Sequence, residues 1–215
     1  MIDAEFLGQC GAIAVSNWSD VLDTLAVKGV MSGIPRRAGQ GSFVGRAVTV
    51  RHTVGPLGAY AKEDFAVARM FDGLKPGDVL VVDMGGAEIS TMGGNAATVA
   101  KRNGAAAVII DGGCRDIDEI AATGLWVGSR HLTPLTGRTR VRIESIGEPV
   151  VVGGVNVHAG DIVLGDDTGI LVMRPDLALR ALAHARQMSE IDMKLDQALK
   201  SGLSFAEAAK RASFL

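Results

Sequence analysis

VLVVDMGGAEISTMGGNAATVAKRNGAAAVIID, residues 79–111, holds two near-continuous apolar runs, VLVVD (79–83) and AAAVIID (105–111). A run that is apolar at every position, not at alternate ones, is buried on both faces, which is how a strand inside a parallel sheet reads. Pro76-Gly77-Asp78 supplies turn chemistry ahead of the first run. MGGAEISTMGG (84–94) reads as a glycine-rich loop, NAATVAKRNG (95–104) as a helix stopped by Gly104, and Gly112-Gly113 as a turn after the second run. Strand, loop, helix and strand in this order make a βαβ unit, and such crossovers are right-handed.

Working outward, Ser19-Asp20 precedes VLDTLAVKG, where Leu22, Leu25 and Ala26 share a helical face and Gly29 reads as the stop. GRAVTVRH (45–52) has the β-branched Val48 and Val50 of a strand, and KEDFAVARMFDGL (62–74) reads as a short helix. Beyond residue 139 come RVRIE (140–144), PVVV (149–152), GVNVH (154–158), DIVLGD (161–166) and GILVM (169–173), short strands separated by Gly, Pro and Asp. They predict an antiparallel layer beside the parallel one. Asp176 opens a long tail helix, and Ser204-Phe205-Ala206-Glu207 is a capping box for a last short one.

The 215 residues exceed one typical domain of ~100–150 residues without making two, so a single domain over residues 1–215 is expected, with extra helices at its ends. Net charge is −2, from 22 Lys and Arg against 24 Asp and Glu, which argues against nucleic-acid binding by bulk charge. Cys10 and Cys114 cannot make a disulfide framework or a four-cysteine zinc site. MIDAEFLGQC carries acids where a signal peptide is basic, and no apolar run approaches the ~20 residues of a membrane span, so a cytoplasmic, membrane-free protein is expected.

Chemistry is expected where strands end. The first loop ends at a helix N-terminus, where backbone N–H groups of Gly93, Gly94, Asn95 and Ala96 can cradle a carboxylate or phosphate. It lacks the Gly-Lys-Ser/Thr of a P-loop and the GxGxxG fingerprint. The second loop is Asp111-Gly112-Gly113-Cys114-Arg115-Asp116. Asp116 offers a hard oxygen for Mg²⁺ or Mn²⁺, and Arg115 a fixed, always-charged fork for an oxyanion. The competing readings are a surface salt bridge, or Asp116 capping the following IDEIAATG. Cys114 reads as a small semi-buried residue, His131 of SRHLTP as a loop histidine within reach of substrate, and Glu190, Asp192 and Asp196 as a solvated helix face.

With GGNAA (93–97) and DGGCRD (111–116) in this context, the sequence resembles the class II 4-hydroxy-4-methyl-2-oxoglutarate / 4-carboxy-4-hydroxy-2-oxoadipate aldolases, a family that includes the regulator-of-ribonuclease-activity A proteins. PGDVLVVDMGG, AKRNGAAAVIIDGGCRD, SRHLTP and PVVVGGVNVHAGDIVLGDDTGILV follow in the expected order. The resemblance implies a three-layer β/β/α fold like the swivelling phosphohistidine domain, assembled as trimers or hexamers. It implies Mg²⁺ or Mn²⁺ held directly by Asp116, Arg115 on the pyruvyl oxygen, and amides of Gly94, Asn95, Ala96 and Ala97 on the pyruvyl carboxylate. The implied activity is metal-dependent C–C cleavage of a small 2-oxo acid through a pyruvate enolate, by retro-aldol reaction or oxaloacetate decarboxylation. The alternative is a non-catalytic regulator that binds a ribonuclease or helicase through its oligomer surface. The aldolases carry an acid twenty-one positions before the arginine, and here that position is Gly94. Glu88 is one candidate to replace it. An Asp placed at Gly94 is expected to fold, because a helix N-terminus tolerates negative charge.

Overall fold

The structure, a computed structural model, describes residues 2–213. In chain order these form α1 (Ala4–Gly11), α2 (Val15–Thr24), β1 (Val30–Met31), β2 (Arg36–Ala38), β3 (Phe43–Val54), a 3-10 turn at Lys62–Phe65 and α3 (Val67–Phe71). There follow β4 (Asp78–Asp83), β5 (Ser90–Met92), α4 (Gly94–Arg102), β6 (Ala107–Cys114), α5 (Ile117–Ala122), β7 (Trp126–Leu132) and β8 (Val141–Ile146). β9 (Val150–Val152), β10 (Val155–Val157), β11 (Ile162–Gly165), β12 (Ile170–Met173), α6 (Pro175–Lys200) and α7 (Phe205–Ala212) complete the chain.

The two apolar runs are β4 and β6, paired in parallel from Val79↔Ala107 to Asp83↔Asp111. They lie at the centre of a mixed sheet ordered β1-β12-β11-β3-β4-β6-β7-β2, in which β3, β4, β6 and β7 are parallel. Alternation along each strand divides the core. Val79, Val81, Ala107 and Ile109 face the β9–β10 hairpin, which forms the second β layer. Leu80, Val82, Val108 and Ile110 face α3, α4 and α5. Farther along that same face, Ile162, Leu164, Leu171 and Met173 pack on α1, α2 and α6. This is the expected β/β/α arrangement with N- and C-terminal helices. No helix among the described residues is long and apolar enough to cross a membrane.

Several local expectations change. Only β9 and β10 make the separate antiparallel layer; β8, β11 and β12 join the main sheet. α2 begins at Val15, not after Asp20, because the Asp166 carboxylate, distant in sequence, accepts from the Val15 amide at 3.4 Å. Gly29 is no helix stop. It lets the backbone pass Val172, whose carbonyl oxygen would sit 2.6 Å from any Cβ there. The 62–74 helix is broken at Ala66, which adopts φ 35°. Asp111 to Cys114 continue β6 and do not turn the chain, and His131 lies on the unforeseen strand β7. The Ser204–Glu207 capping box is present.

His52, near the end of β3, is 6% exposed, and its Nε2 has no hydrogen-bond partner among the described residues. Burial pushes its pKa down from 6.5 to about 4. The unfolded chain therefore takes up this proton near pH 6.5 and the folded protein only near pH 4. Stability is retained above the higher value and lost as pH falls through that window, by up to about 3 kcal/mol. His52→Gln, which cannot titrate, is expected to flatten Tm against pH between 6.5 and 4. Equal acid slopes for both proteins would show that other groups govern this limb.

Candidate functional site

The site is built where β5, α4 and the end of β6 meet. The Gly113 amide donates to the Ile89 carbonyl at 3.1 Å, and the Arg115 amide donates to the Met92 carbonyl at 3.0 Å. These bonds stitch the tail of the glycine-rich loop to the end of β6, so the start of α4 stands beside Arg115 and Asp116. Asp116 has φ 54°, a left-handed conformation that costs a non-glycine residue energy but that Asp tolerates better than most. It turns the chain into α5 and directs its carboxylate back at α4. The Gly94 amide donates to Asp116 Oδ2 at 3.4 Å, and Arg115 Nε lies 3.5 Å from the same oxygen.

The paired glycines make this approach possible. A Cβ at Gly93 would overlap Asp116 Oδ2 and lie 3.2 Å from Arg115 Cγ and Nε. A Cβ at Gly94 would overlap Glu119 Oε2 and lie 2.6 Å from Glu119 Cβ. The side chains of Arg115 and Asp116 stay 47% and 38% exposed and open onto a cleft of about 390 Å³ with Ile117, Leu132, Thr133 and Pro134 on its other walls. Helix geometry leaves the amides of Asn95 and Ala96 without an intrahelical acceptor. The Ala97 amide is already committed to the Gly93 carbonyl at 3.1 Å, and Ala97 itself is buried. The structure thus brings Arg115, Asp116, Gly93, Gly94, Asn95 and Ala96 together and leaves Ala97 as packing.

Other candidates lie elsewhere. Asp111 faces the hairpin layer, where Arg130 Nε donates to Oδ1 at 2.5 Å and the Gly153 amide to Oδ2 at 2.8 Å. Cys114 is fully buried, 3.3 Å from Ser129 Oγ, and burial raises its thiol pKa, which suits packing and not nucleophilic attack. His131 Nε2 is engaged at 3.0 Å with the Gly86 carbonyl oxygen. Glu88 is exposed in the loop before β5. The residue that sequence reasoning missed is Glu119. Its one signal was its position as an acid in the first turn of the helix that follows Asp116.

Gly94 adopts no positive φ, so its backbone would accept another residue; the obstacle is Glu119. Gly94→Asp sets a new side chain against the Glu119 Cβ and adds a like charge, a cost that an unstrained backbone does not remove. It is expected to destabilise by about 1–3 kcal/mol, the scale of overpacking. Glu119→Gly should relieve most of that cost, a coupling a double-mutant cycle measures by thermal melts. Strict additivity of the two changes would mean that the contact carries no energy.

The donors fit a hard, hydrated cation. Asp116 presents an accessible carboxylate over a cradle that a Cβ at Gly93 would fill. Among the described residues no group of three His, Cys, Asp or Glu side chains converges, so Asp116 and water would be the ligands, as Mg²⁺ tolerates.

A family model described as RraA-like, Aldolase/RraA, matches residues 16–172. A protein of Halalkalibacterium halodurans, provisionally named 4-hydroxy-4-methyl-2-oxoglutarate aldolase, is 27% identical over 202 residues, 94% of this chain and 91% of its own. Among solved structures, an uncharacterized protein from Pseudomonas syringae superposes with TM-score 0.86 at 24% identity, covering 96% of this chain and 98% of the other. RraAS2 of Streptomyces coelicolor, described as an unusual member of the RNase ES inhibitor RraA protein family, superposes with TM-score 0.79 at 23% identity, covering 94% and 98%.

Proposed function

This chain belongs to the RraA-like Aldolase/RraA family, and within that family we propose that it is a divalent-metal-dependent lyase cleaving a C–C bond of a small 2-oxo acid through a pyruvate enolate. The observation that carries this reading is the meeting of Arg115, Asp116 and a helix N-terminus at the Gly93–Gly94 corner. A structural salt bridge alone would not need an unpaired helix start beside it, nor a left-handed aspartate to reach it.

In this reading Asp116 holds Mg²⁺ or Mn²⁺, whose chemistry when bound is Lewis-acid polarisation of the 2-oxo group. Arg115 binds the pyruvyl oxygen with its planar fork and stabilises the charge that grows there as the C–C bond breaks. The amides at Asn95 and Ala96 hold the substrate carboxylate with the dipole of α4 behind them, while the Gly94 amide holds Asp116 in place. Oxaloacetate decarboxylation passes through the same enolate and belongs to the same proposal. The protein would work in the cytoplasm as a homotrimer or homohexamer, with neither nucleic acid nor membrane as partner. Leu132 at the cleft and Leu135 nearby are exposed apolar residues that a neighbouring subunit would cover.

The second reading is a non-catalytic regulator that binds a ribonuclease or helicase through its oligomer surface. What favours it is Gly94, where the aldolases have an acid. A lactate-dehydrogenase-coupled pyruvate-release assay over a panel of 4-hydroxy-2-oxo acids and oxaloacetate, with and without Mg²⁺, decides between the two. Metal-dependent pyruvate release is expected; none across the panel would leave the regulator.

A further inference from the structure

We propose that Glu119 is the proton-handling positioning residue of this site, orienting the water that moves a proton within a 4-hydroxy-2-oxo acid substrate; this rests on the lyase reading above. Three observations lead to it. Glu119 is the third residue of α5, whose left-handed N-cap is Asp116, and both carboxylates reach the start of α4. Each carboxylate fills the space that a side chain on one of the paired glycines would take, Asp116 at Gly93 and Glu119 at Gly94. Finally, the two differ in what they touch. Asp116 is engaged by the Gly94 amide and by Arg115, whereas Glu119 has no hydrogen bond or ion pair among the described residues. A carboxylate held against the helix start, accessible and unspent, is free to accept a proton.

The chemistry requires such a group. Asp116 is committed to the cation in the proposed site, Arg115 stays charged at any working pH, and the nearby amides only donate. Among the described residues no histidine lines the cleft of Arg115 and Asp116, and His52 is buried in the core. In retro-aldol cleavage the C4 hydroxyl proton passes to the water and from it to Glu119. The C3–C4 electron pair moves into the C2–C3 enolate, and the hydroxyl oxygen becomes the carbonyl of the departing product. The same proton then returns through water to C3, and the enolate oxygen reverts to the carbonyl of pyruvate. One proton moves from oxygen to carbon, and no oxidant or co-reactant is consumed.

The test compares wild type, Glu119→Gln, Glu119→Ala and Arg115→Lys on whichever 4-hydroxy-2-oxo acid the wild type cleaves. Glu119→Gln keeps the shape of the exposed side chain. It is expected to lower kcat by about 10²-fold, the scale of general acid–base catalysis, with KM little changed. Glu119→Ala leaves a carboxylate-sized gap beside Gly94, and added formate is expected to restore part of its kcat with saturation, which a structural role would not produce. A Glu119→Gln kcat within twofold of wild type, or a slow Glu119→Ala that formate leaves unchanged, would overturn the role of Glu119 while the lyase reading stands. A wild type that decarboxylates oxaloacetate but cleaves no such substrate would overturn the role of Glu119 alone, and one that releases pyruvate from neither would overturn both.

Discussion

Exhaustive treatment with EDTA is expected to abolish pyruvate release, and Mg²⁺ or Mn²⁺ to restore it. One carboxylate with water as the remaining ligands holds a hard cation weakly, so chelation should need no harsh conditions. Asp116→Asn should reproduce the loss with EDTA absent. The amide keeps the shape of the side chain and accepts the Gly94 N–H, but it gives up the charge that attracts the cation. Lewis-acid stabilisation of an enolate is worth several kcal/mol, so the expected fall is about 10²-fold or more. Manganese titration followed by electron paramagnetic resonance checks the same point without turnover: wild type should bind and Asp116→Asn should not. Unimpaired activity after complete chelation would remove the metal from the mechanism.

Arg115→Lys is expected to lower kcat/KM by about 10²–10³-fold, the cost of losing one well-placed oxyanion donor. Lysine keeps the charge but not the planar fork, and its point charge cannot face the developing oxygen and remain beside Asp116 in the same way. If the interaction is made mainly in the transition state, kcat carries the loss; if it is made equally in the ground state, KM does. Thermal stability should change little, because an ion pair this exposed contributes at most about 1 kcal/mol. Normal turnover by Arg115→Lys would make this pair an ordinary surface salt bridge.

The parallel centre of the fold was legible because β4 and β6 are apolar at consecutive positions, a pattern only two covered faces permit. β7 was not. Its Gly128, Ser129 and Arg130 break any hydrophobic run, and they fit only because Asp111 on β6 neutralises Arg130 and the Trp126 ring occupies the space beside Gly128. The sequence alone puts Asp111 at the end of an apolar run, as the first residue of the DGGCRD loop. Once β6 runs on to Cys114, strand alternation places Asp111 on the face of Ala107 and Ile109, toward the hairpin. Arg115 and Asp116 could be singled out because charged residues after a buried strand mark a strand end. Glu119 could not, since an acid in the first turn of a helix is ordinarily solvated. Only the left-handed backbone at Asp116 folds it onto Gly94.

All the residues assigned to binding and chemistry fall between Gly93 and Glu119, on two helix starts and the strand that joins them. In this proposal the rest of the described chain frames that segment, with Leu132, Thr133 and Pro134 walling its cleft. Such an arrangement is modular in heredity: one short recombination event could carry the whole reactive apparatus from one relative to another, and a few changes inside it could silence or redirect it while the scaffold went on folding. A lineage built this way can hold catalysts and regulators side by side, because losing the chemistry need not mean losing the protein.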